Sequence, residues 1–236
     1  RVWWPHPAIP FGELMAQLEA AVAECQAVAR QLGGEVAALG LSVAAWLSRD
    51  RELIVRGVNI GARQHELGDE LRRRFHFPVV IENDGNATAL AEFQAGGARA
   101  RCLVLFTLGT GVGGGVVVDG RPLVGAFGLA GELGHLPVVE DGPACVCGGR
   151  GCLELVASGP AIARAAGAPT SLEVVAAADA GDARAREVLA GAGRAIGKAV
   201  GLLVPVVQPD VVVLAGSLAQ SAGTHLLPAV RASVDQ

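Results

Sequence analysis

Residues 131–154 read GELGHLPVVEDGPACVCGGRGCLE and hold three of the chain's five cysteines. Nine residues separate His135 from Cys145, one separates Cys145 from Cys147, and four separate Cys147 from Cys152. Two chemistries compete for such a cluster. A disulfide needs an oxidising compartment, leaves one cysteine of the group over, and is badly placed between Cys145 and Cys147. A tetrahedral zinc takes four nitrogen or sulfur ligands, and three Cys with one His is a standard structural set. The small residues of CVCGGRGC let the backbone wrap closely around a metal. The expectation is a closed zinc site on His135, Cys145, Cys147 and Cys152 that holds a loop and activates no water.

A structural zinc has no need of the carboxylates beside it. Glu132 lies three residues before His135 and Glu154 two after Cys152. If the metal pins both ends of the loop, both carboxylates are presented to one spot. That suits a polyhydroxylated ligand, since a hydrogen bond to a charged group contributes about 1.5–3 kcal/mol. The plainer reading is a pair of solvated surface glutamates.

The rest of the composition bounds the answer. The chain has 236 residues, 51% of them hydrophobic, no tyrosine and a net charge of −4. That suffices for one large α/β domain or two modest ones. The densest basic cluster, residues 72–74, reads as a solvated helix end, so no nucleic acid is expected to bind this segment. The most apolar tract, residues 199–216, is broken by Pro205, Gln208, Pro209 and Asp210. It falls short of the about 20 apolar residues of a membrane helix, and the chain is expected to be soluble. It starts at RVWWPHPAIP with no initiator methionine or signal peptide.

Periodicity places a helix over residues 11–32, with Cys25 on its apolar face as inert core. Strands are expected over 35–43, 53–58 and 78–84, and a helix over 85–96. A strand over 102–109 leads into a hairpin whose Asp119-Gly120 signals a type I′ turn. The sequence then turns helical, with a long helix that Pro205 ends, before a buried strand over 210–217 and a final helix. Strands and helices alternate on both sides of a break near residues 96–100. The expectation is two α/β lobes, a smaller one over residues 1–98 and a larger one over 99–236, with a cleft between them.

The segments GAFGLAGELGHLPV, CVCGGRGCLE, IENDGNATALAE and FTLGTGVGGGVVVDG together resemble the ROK family of bacterial sugar kinases and sugar-responsive repressors, over residues 40–217. The resemblance implies an α/β, two-lobed actin-like ATPase (ribonuclease H-like) fold with a structural zinc loop. It implies transfer of a phosphoryl group from ATP with Mg²⁺ to a hexose, most often glucose. Asp84 would be the general base. Asn59, Asn83, Asp84, Glu132, His135 and Glu154 would bind the sugar, His135 using one ring nitrogen for zinc and the other for sugar. Gly109, Thr110, Gly111 and Gly113 resemble the family's second phosphate loop, and Gly216 and Ser217 the turn that lies against the adenosine. A cytoplasmic homodimer or homotetramer, with no membrane partner, is expected.

The chemistry is intelligible without the family. A sugar hydroxyl is a weak nucleophile, and a carboxylate within reach orients it and takes its proton as it attacks the γ-phosphate. Asp84 stands where a strand ends and a helix begins, where it could equally serve as an N-cap. The LGTGV run could bring backbone N–H groups to phosphate, or be only a tight turn between strands. The chain also departs from the family pattern. The first phosphate loop, Asp-x-Gly-Gly-Thr, does not occur in it and is expected upstream of Arg1, so the first strands are expected to be missing and the last helix to be cut short at Gln236. Ala44-Ala45 replaces Pro-Gly, and Val58-Asn59 replaces Pro-Asn. Three functions follow: an ATP:hexose kinase, whose activity the chain as given would lack, a sugar-sensing repressor whose DNA-binding helices precede Arg1, or a non-catalytic sugar-binding module.

Overall fold

The computed structural model describes residues 10–57, 61–96 and 100–235. Asn59 lies outside the described residues. The chain divides into two compact units, one comprising the residues up to Ala87 with Val124–Ala130, the other Thr88–Leu123 with everything from Gly131 onward. The sequence placed its division at residues 98/99, where glycines interrupt the pattern. The structure divides within one uninterrupted helix and returns a loop to the first unit, a crossing that no local signal marks.

In the first unit α1 (Phe11–Gln31) buries Met15 and Val22. They join a core with Val43, Leu47, Ile54, Leu67, Leu71 and Phe75. The later apolar residues of α1 are uncovered: Val28 is 53% and Leu32 82% exposed, and Cys25 is exposed as well. The expectation that Cys25 is core is therefore corrected. Helical spacing tells which residues share a face, but not whether another element covers it.

Strand β1 (Leu39–Val43), shorter than the expected 35–43, pairs in parallel with β5 (Val79–Asn83). Between them β2 (Trp46–Leu47), β3 (Leu53–Gly57) and β4 (Ala62–Glu66) form an antiparallel sheet. Helix α2 (Leu67–Arg74) starts with Asp69 and Glu70 and ends on Arg72, Arg73 and Arg74, the charge order that complements a helix dipole. The three arginines pair with Glu52, Asp69, Glu70 and Glu19 on the surface, as a solvated helix end should. Helix α3 (Asp84–Gly96) follows β5 directly.

The second unit is built on a sheet of order β8-β7-β6-β9. Its strands are β6 (Cys102–Leu108), β7 (Val112–Val118), β8 (Arg121–Pro122) and β9 (Val211–Ala215). Strand β6 is buried on both faces. Val104, Phe106 and Leu108 join the larger core, while Leu103 and Leu105 pack with Ala89 and Val117. Asp119 (φ 49°) and Gly120 (φ 77°) are both left-handed, the geometry of the expected type I′ turn. Strand β9 joins β6 in parallel after a run of helices: α4 (Glu154–Ala157), α5 (Gly159–Ala166), α6 (Ser171–Asp179) and α7 (Ala183–Val207), with α8 (Ser217–Val234) last. Ser158, Thr170 and Asp182 cap α5, α6 and α7 by accepting N–H bonds.

Pro205 does not end α7, which continues to Val207. Proline removes one helical bond, to the carbonyl four residues back. That residue is Gly201, which is exposed, and a Cβ added there would meet open space, so solvent can reach this stretch of backbone. At 25 residues α7 is long and apolar enough to cross a membrane. Leu189, Ile196 and Ala199 are instead fully buried in the core of this unit.

The two cysteines outside the cluster should differ in reactivity. Cys25 is exposed, whereas Cys102 is buried, and burial, then the Asp210 and Asp119 charges, raises its thiol pKa. A maleimide should label Cys25 in the native protein and Cys102 only on unfolding, as mapped by peptide mass.

Candidate functional site

The ligand atoms of His135, Cys145, Cys147 and Cys152 all lie within 4.8 Å of one another. Cys145 Sγ is 3.5 Å from His135 Nδ1, and Cys147 Sγ is 3.6 Å from Cys152 Sγ. A tetrahedral zinc, with bonds of about 2.3 Å to sulfur and 2.0–2.1 Å to nitrogen, sets its ligand atoms about 3.5–3.8 Å apart. The cluster thus has the dimensions of a zinc shell. A disulfide would need about 2.05 Å. Burial, then hydrogen bonding and charge from Cys145 and Cys147, push the Cys152 thiol up to about 12. Sulfurs this close ionise together only with a cation among them.

Short backbone contacts shape the loop. Val138 and Val139 N–H both donate to Gly151 O, Gly151 N–H donates to Pro143 O, and Cys145 N–H to Gly149 O. Gly151 is left-handed (φ 66°), and a Cβ there would sit 1.9 Å from Val139 O. Only glycine fits. The chain's one lysine, Lys198 on α7, donates from Nζ to Val138 O at 2.7 Å and ties the base of the loop to the core. Glu132 and His135 are half-buried on a 3₁₀ turn, with His135 N–H donating to Glu132 O.

Residues 109–111 form the connection of the β6–β7 hairpin, whose last pair is Leu108 with Val112. Other parts of the unit hold this loop. Gly109 O accepts from Gly159 N–H at 2.8 Å, and Glu154 Oε2 accepts from Val112 N–H at 3.0 Å. A Cβ on Gly111 would stand 2.6 Å from that carboxylate oxygen, so the close approach depends on glycine. Gly216 packs against the Leu108 backbone, and Ser217 Oγ lies near Gly109. The structure therefore brings Gly109, Gly111, Glu154, Gly216 and Ser217 together. Thr110 is exposed at the tip, and Gly113 sits on β7 facing Thr107. The sequence marked Glu154 for sugar. It gave no sign that the carboxylate also supports the GTG loop, nor that Gly159 does, because both bonds span more than forty residues.

In the first unit Asn83 and Asp84 stand at the junction of β5 and α3. Asn83 Oδ1 accepts from Asn86 N–H at 3.1 Å, three residues on, so Asn83 is the N-cap of α3. Its Nδ2 donates to Ala45 O at 3.2 Å and to Asp84 Oδ1 at 3.1 Å. That leaves Asn83 one acceptor lone pair for a ligand. Asp84 Oδ1 also accepts from Gly85 N–H at 3.0 Å. The side chain reaches solvent, yet the atoms crowding its carboxylate raise its pKa by desolvation, against the lowering by these hydrogen bonds.

Three comparisons bear on this arrangement. The profile of the ROK family matches residues 9–236. A glucokinase of Halalkalibacterium halodurans is 38% identical over 211 residues, covering 80% of this chain. The chain spans 64% of the length of that relative. Among solved structures, a ROK family glucokinase from Streptomyces griseus, in complex with glucose and AMPPNP, superposes with a TM-score of 0.81 at 29% identity, over 97% of this chain and 78% of its own. A ROK family transcriptional regulator, a homologue of the E. coli MLC protein, superposes with a TM-score of 0.84 at 28% identity, over 97% of this chain and 61% of its own. The α/β fold is thus that of the actin-like ATPases.

Two outcomes are expected. Metal analysis of purified protein should find about one zinc per chain, and chelation should lower the melting temperature because binding is coupled to folding. Metal-free protein with a disulfide in the cluster would contradict this. Glu154→Ala should keep its zinc yet lose about 1–3 kcal/mol of stability, because Val112 N–H is left without its acceptor. Chemical denaturation with metal analysis on the same sample checks both.

Proposed function

The chain belongs to the ROK family, and we propose that it works as an ATP-dependent hexose kinase, glucokinase-like in substrate, in the cytoplasm. One observation carries this reading beyond likeness. Asn83 fills the capping position of α3, so Asp84 is not required there as a helix cap. A carboxylate with a raised pKa, oriented by Asn83 and Gly85, suits a general base.

Asp84 would accept the proton of the attacking sugar hydroxyl, held in place by hydrogen bonds that keep one carboxylate oxygen fixed. Asn59, Asn83, Glu132, His135 and Glu154 are the proposed sugar contacts. His135 has Nδ1 beside Cys145, so Nε2 is the nitrogen proposed to meet the sugar. The N–H groups of the GTG loop, with Gly113, Gly216 and Ser217, are the proposed nucleotide contacts. ATP with Mg²⁺ supplies the phosphoryl group. Zinc would keep the loop folded and take no part in the transfer.

A second reading is a sugar-sensing regulator, favoured by the superposition on the MLC homologue. Such a protein needs sugar binding but no base. The two are separated at Asp84. In the full-length protein Asp84→Asn should keep its stability and glucose affinity, because Asn retains the shape and the acceptor oxygen. Its turnover should fall about 10²–10⁴-fold. The acid limb of the wild-type kcat profile should lie above the ordinary aspartate range, since the rate falls as pH drops through the raised pKa and Asp84 becomes protonated. A wild type that binds glucose but transfers no phosphate from ATP to any common hexose or N-acetylated hexosamine would establish the regulator or binding-module reading instead.

A further inference from the structure

Arg51 has an unusual conformation for its residue type. Its φ is 65°, a left-handed backbone that a long side chain keeps only when its surroundings hold it there. The surroundings are a tight turn in which Arg51 N–H and Nη1 both donate to Ser48 O, while Asp50 Oδ1 accepts from Ser48 Oγ and Glu52 N–H. The turn sends the arginine inward. Its side chain is 12% exposed, and Nη2 ends 2.8 Å from Glu82 Oε1 on β5. Its N–H bonds are not aligned with the carboxylate lone pairs. The contact is one of charge.

Glu82 is a hub. The same Oε1 accepts from Asn83 N–H at 2.7 Å and from Asn86 Nδ2 at 3.2 Å. Asn86 is 2% exposed, and among the described residues its Oδ1 has no hydrogen-bond partner. A hydrogen bond to a carboxylate is about twice as strong as one between neutral groups, so Glu82 holds the Asn86 amide by its N–H₂. Glu82 therefore sets the orientation of Asn86 and the backbone of Asn83. Asn86 N–H in turn fixes Asn83 Oδ1, and Asn83 Nδ2 fixes Asp84 Oδ1. Contacts run without a gap from Arg51 to Asp84, all within the first unit.

We propose that Arg51 is a positioning residue for the Asn83–Asp84 pair, acting through Glu82. Left without its counter-charge, the half-buried Glu82 carboxylate would turn toward water and release Asn83 and Asn86, and the start of α3 would lose its fixed geometry. The proposal rests on reading Asp84 as the base, and its test is arranged so that the two can fail separately.

In the full-length protein, Arg51→Ala should lower kcat about tenfold or more, the scale on which small misplacements of a reacting group act. KM for ATP should stay within about twofold, since the nucleotide contacts belong to other elements. The double variant Arg51→Ala/Glu82→Gln should recover most of the lost kcat. Glutamine keeps an Oε1 acceptor for Asn83 and Asn86 and needs no counter-charge. A purely structural Arg51, valued for packing its stem, would gain nothing from the second change. A folded Arg51→Ala enzyme with wild-type kcat, or a double variant no better than the single, overturns the proposal. If Arg51→Ala does not fold, Glu82→Ala takes its place, and a folded Glu82→Ala protein with wild-type kcat overturns it equally. Amide exchange at Asn83 and Asn86 is followed in the same proteins without substrate. It should quicken about tenfold in Arg51→Ala and return in the double variant, as local opening at the helix start becomes easier and then is restored. An inactive wild type would defeat the kinase reading alone, and unchanged exchange would then defeat the relay.

Discussion

Held as thiolates, Cys145, Cys147 and Cys152 repel one another, and only a cation between them and His135 turns that repulsion into cohesion. Around the cluster the loop is a 3₁₀ turn, isolated bridges and glycine-dependent bends, with Leu133, Val138 and Leu153 anchoring it in the core. Its consequences reach past the loop. Cys152 lies two residues before α4, and Glu154, the first residue of α4, supports Val112 at the edge of the GTG turn. A metal held by the cluster, even without a catalytic duty, would therefore bear on the geometry of a glycine loop. The bond between Lys198 and Val138 adds an anchor to α7, so the loop is held to the core as well as closed on itself.

Residues whose partners lie close in sequence were legible before the structure. The Cys/His cluster of His135, Cys145, Cys147 and Cys152, the Asp119-Gly120 turn and the Arg72–Arg74 helix end all follow from spacing and residue type. Cys25, Pro205 and the N-cap were not. Cys25 shares a face with Met15 and Val22, but burial depends on what lies opposite, and the core ends near Val22. Proline is read as a helix stop because of the carbonyl it orphans, yet the residue concerned, Gly201, is exposed. Asp and Asn are both good caps, and the sequence places them side by side at residues 83 and 84. Which one caps was settled by the hydrogen bond to Asn86. Strand β4, ARQHE, has no apolar alternation to announce it and exists because β3 supplies its pairing.

That choice between neighbours has a chemical consequence. A capping side chain is held by a backbone N–H and by the dipole of its helix, both of which favour a fixed, neutral or anionic acceptor. A base must instead change its protonation during the reaction. With the cap given to an amide, the carboxylate at the next position, which also accepts from Gly85 N–H, is the group proposed to take up the proton. The amide also donates to the carboxylate, a bond that orients it without supplying a second negative charge. Glu82, one residue earlier, carries such a charge, and Arg51 lies against it.

The fold by itself does not choose between catalysis and sensing. A glucokinase and a transcriptional regulator superpose on this chain about equally well, so the backbone is common to both uses. The distinction must lie in side chains that one use needs and the other can lose. A sensor needs sugar contacts and a loop that presents them, the role proposed for Glu132, His135 and Glu154. It has no need for a carboxylate that accepts a proton, nor for an ion pair whose effect is to steady that carboxylate. The proposed base Asp84 and the Arg51–Glu82 ion pair are both present here, on separate elements. On the reading of Asp84 as the base, this pairing is what a kinase requires and a sensor could lose.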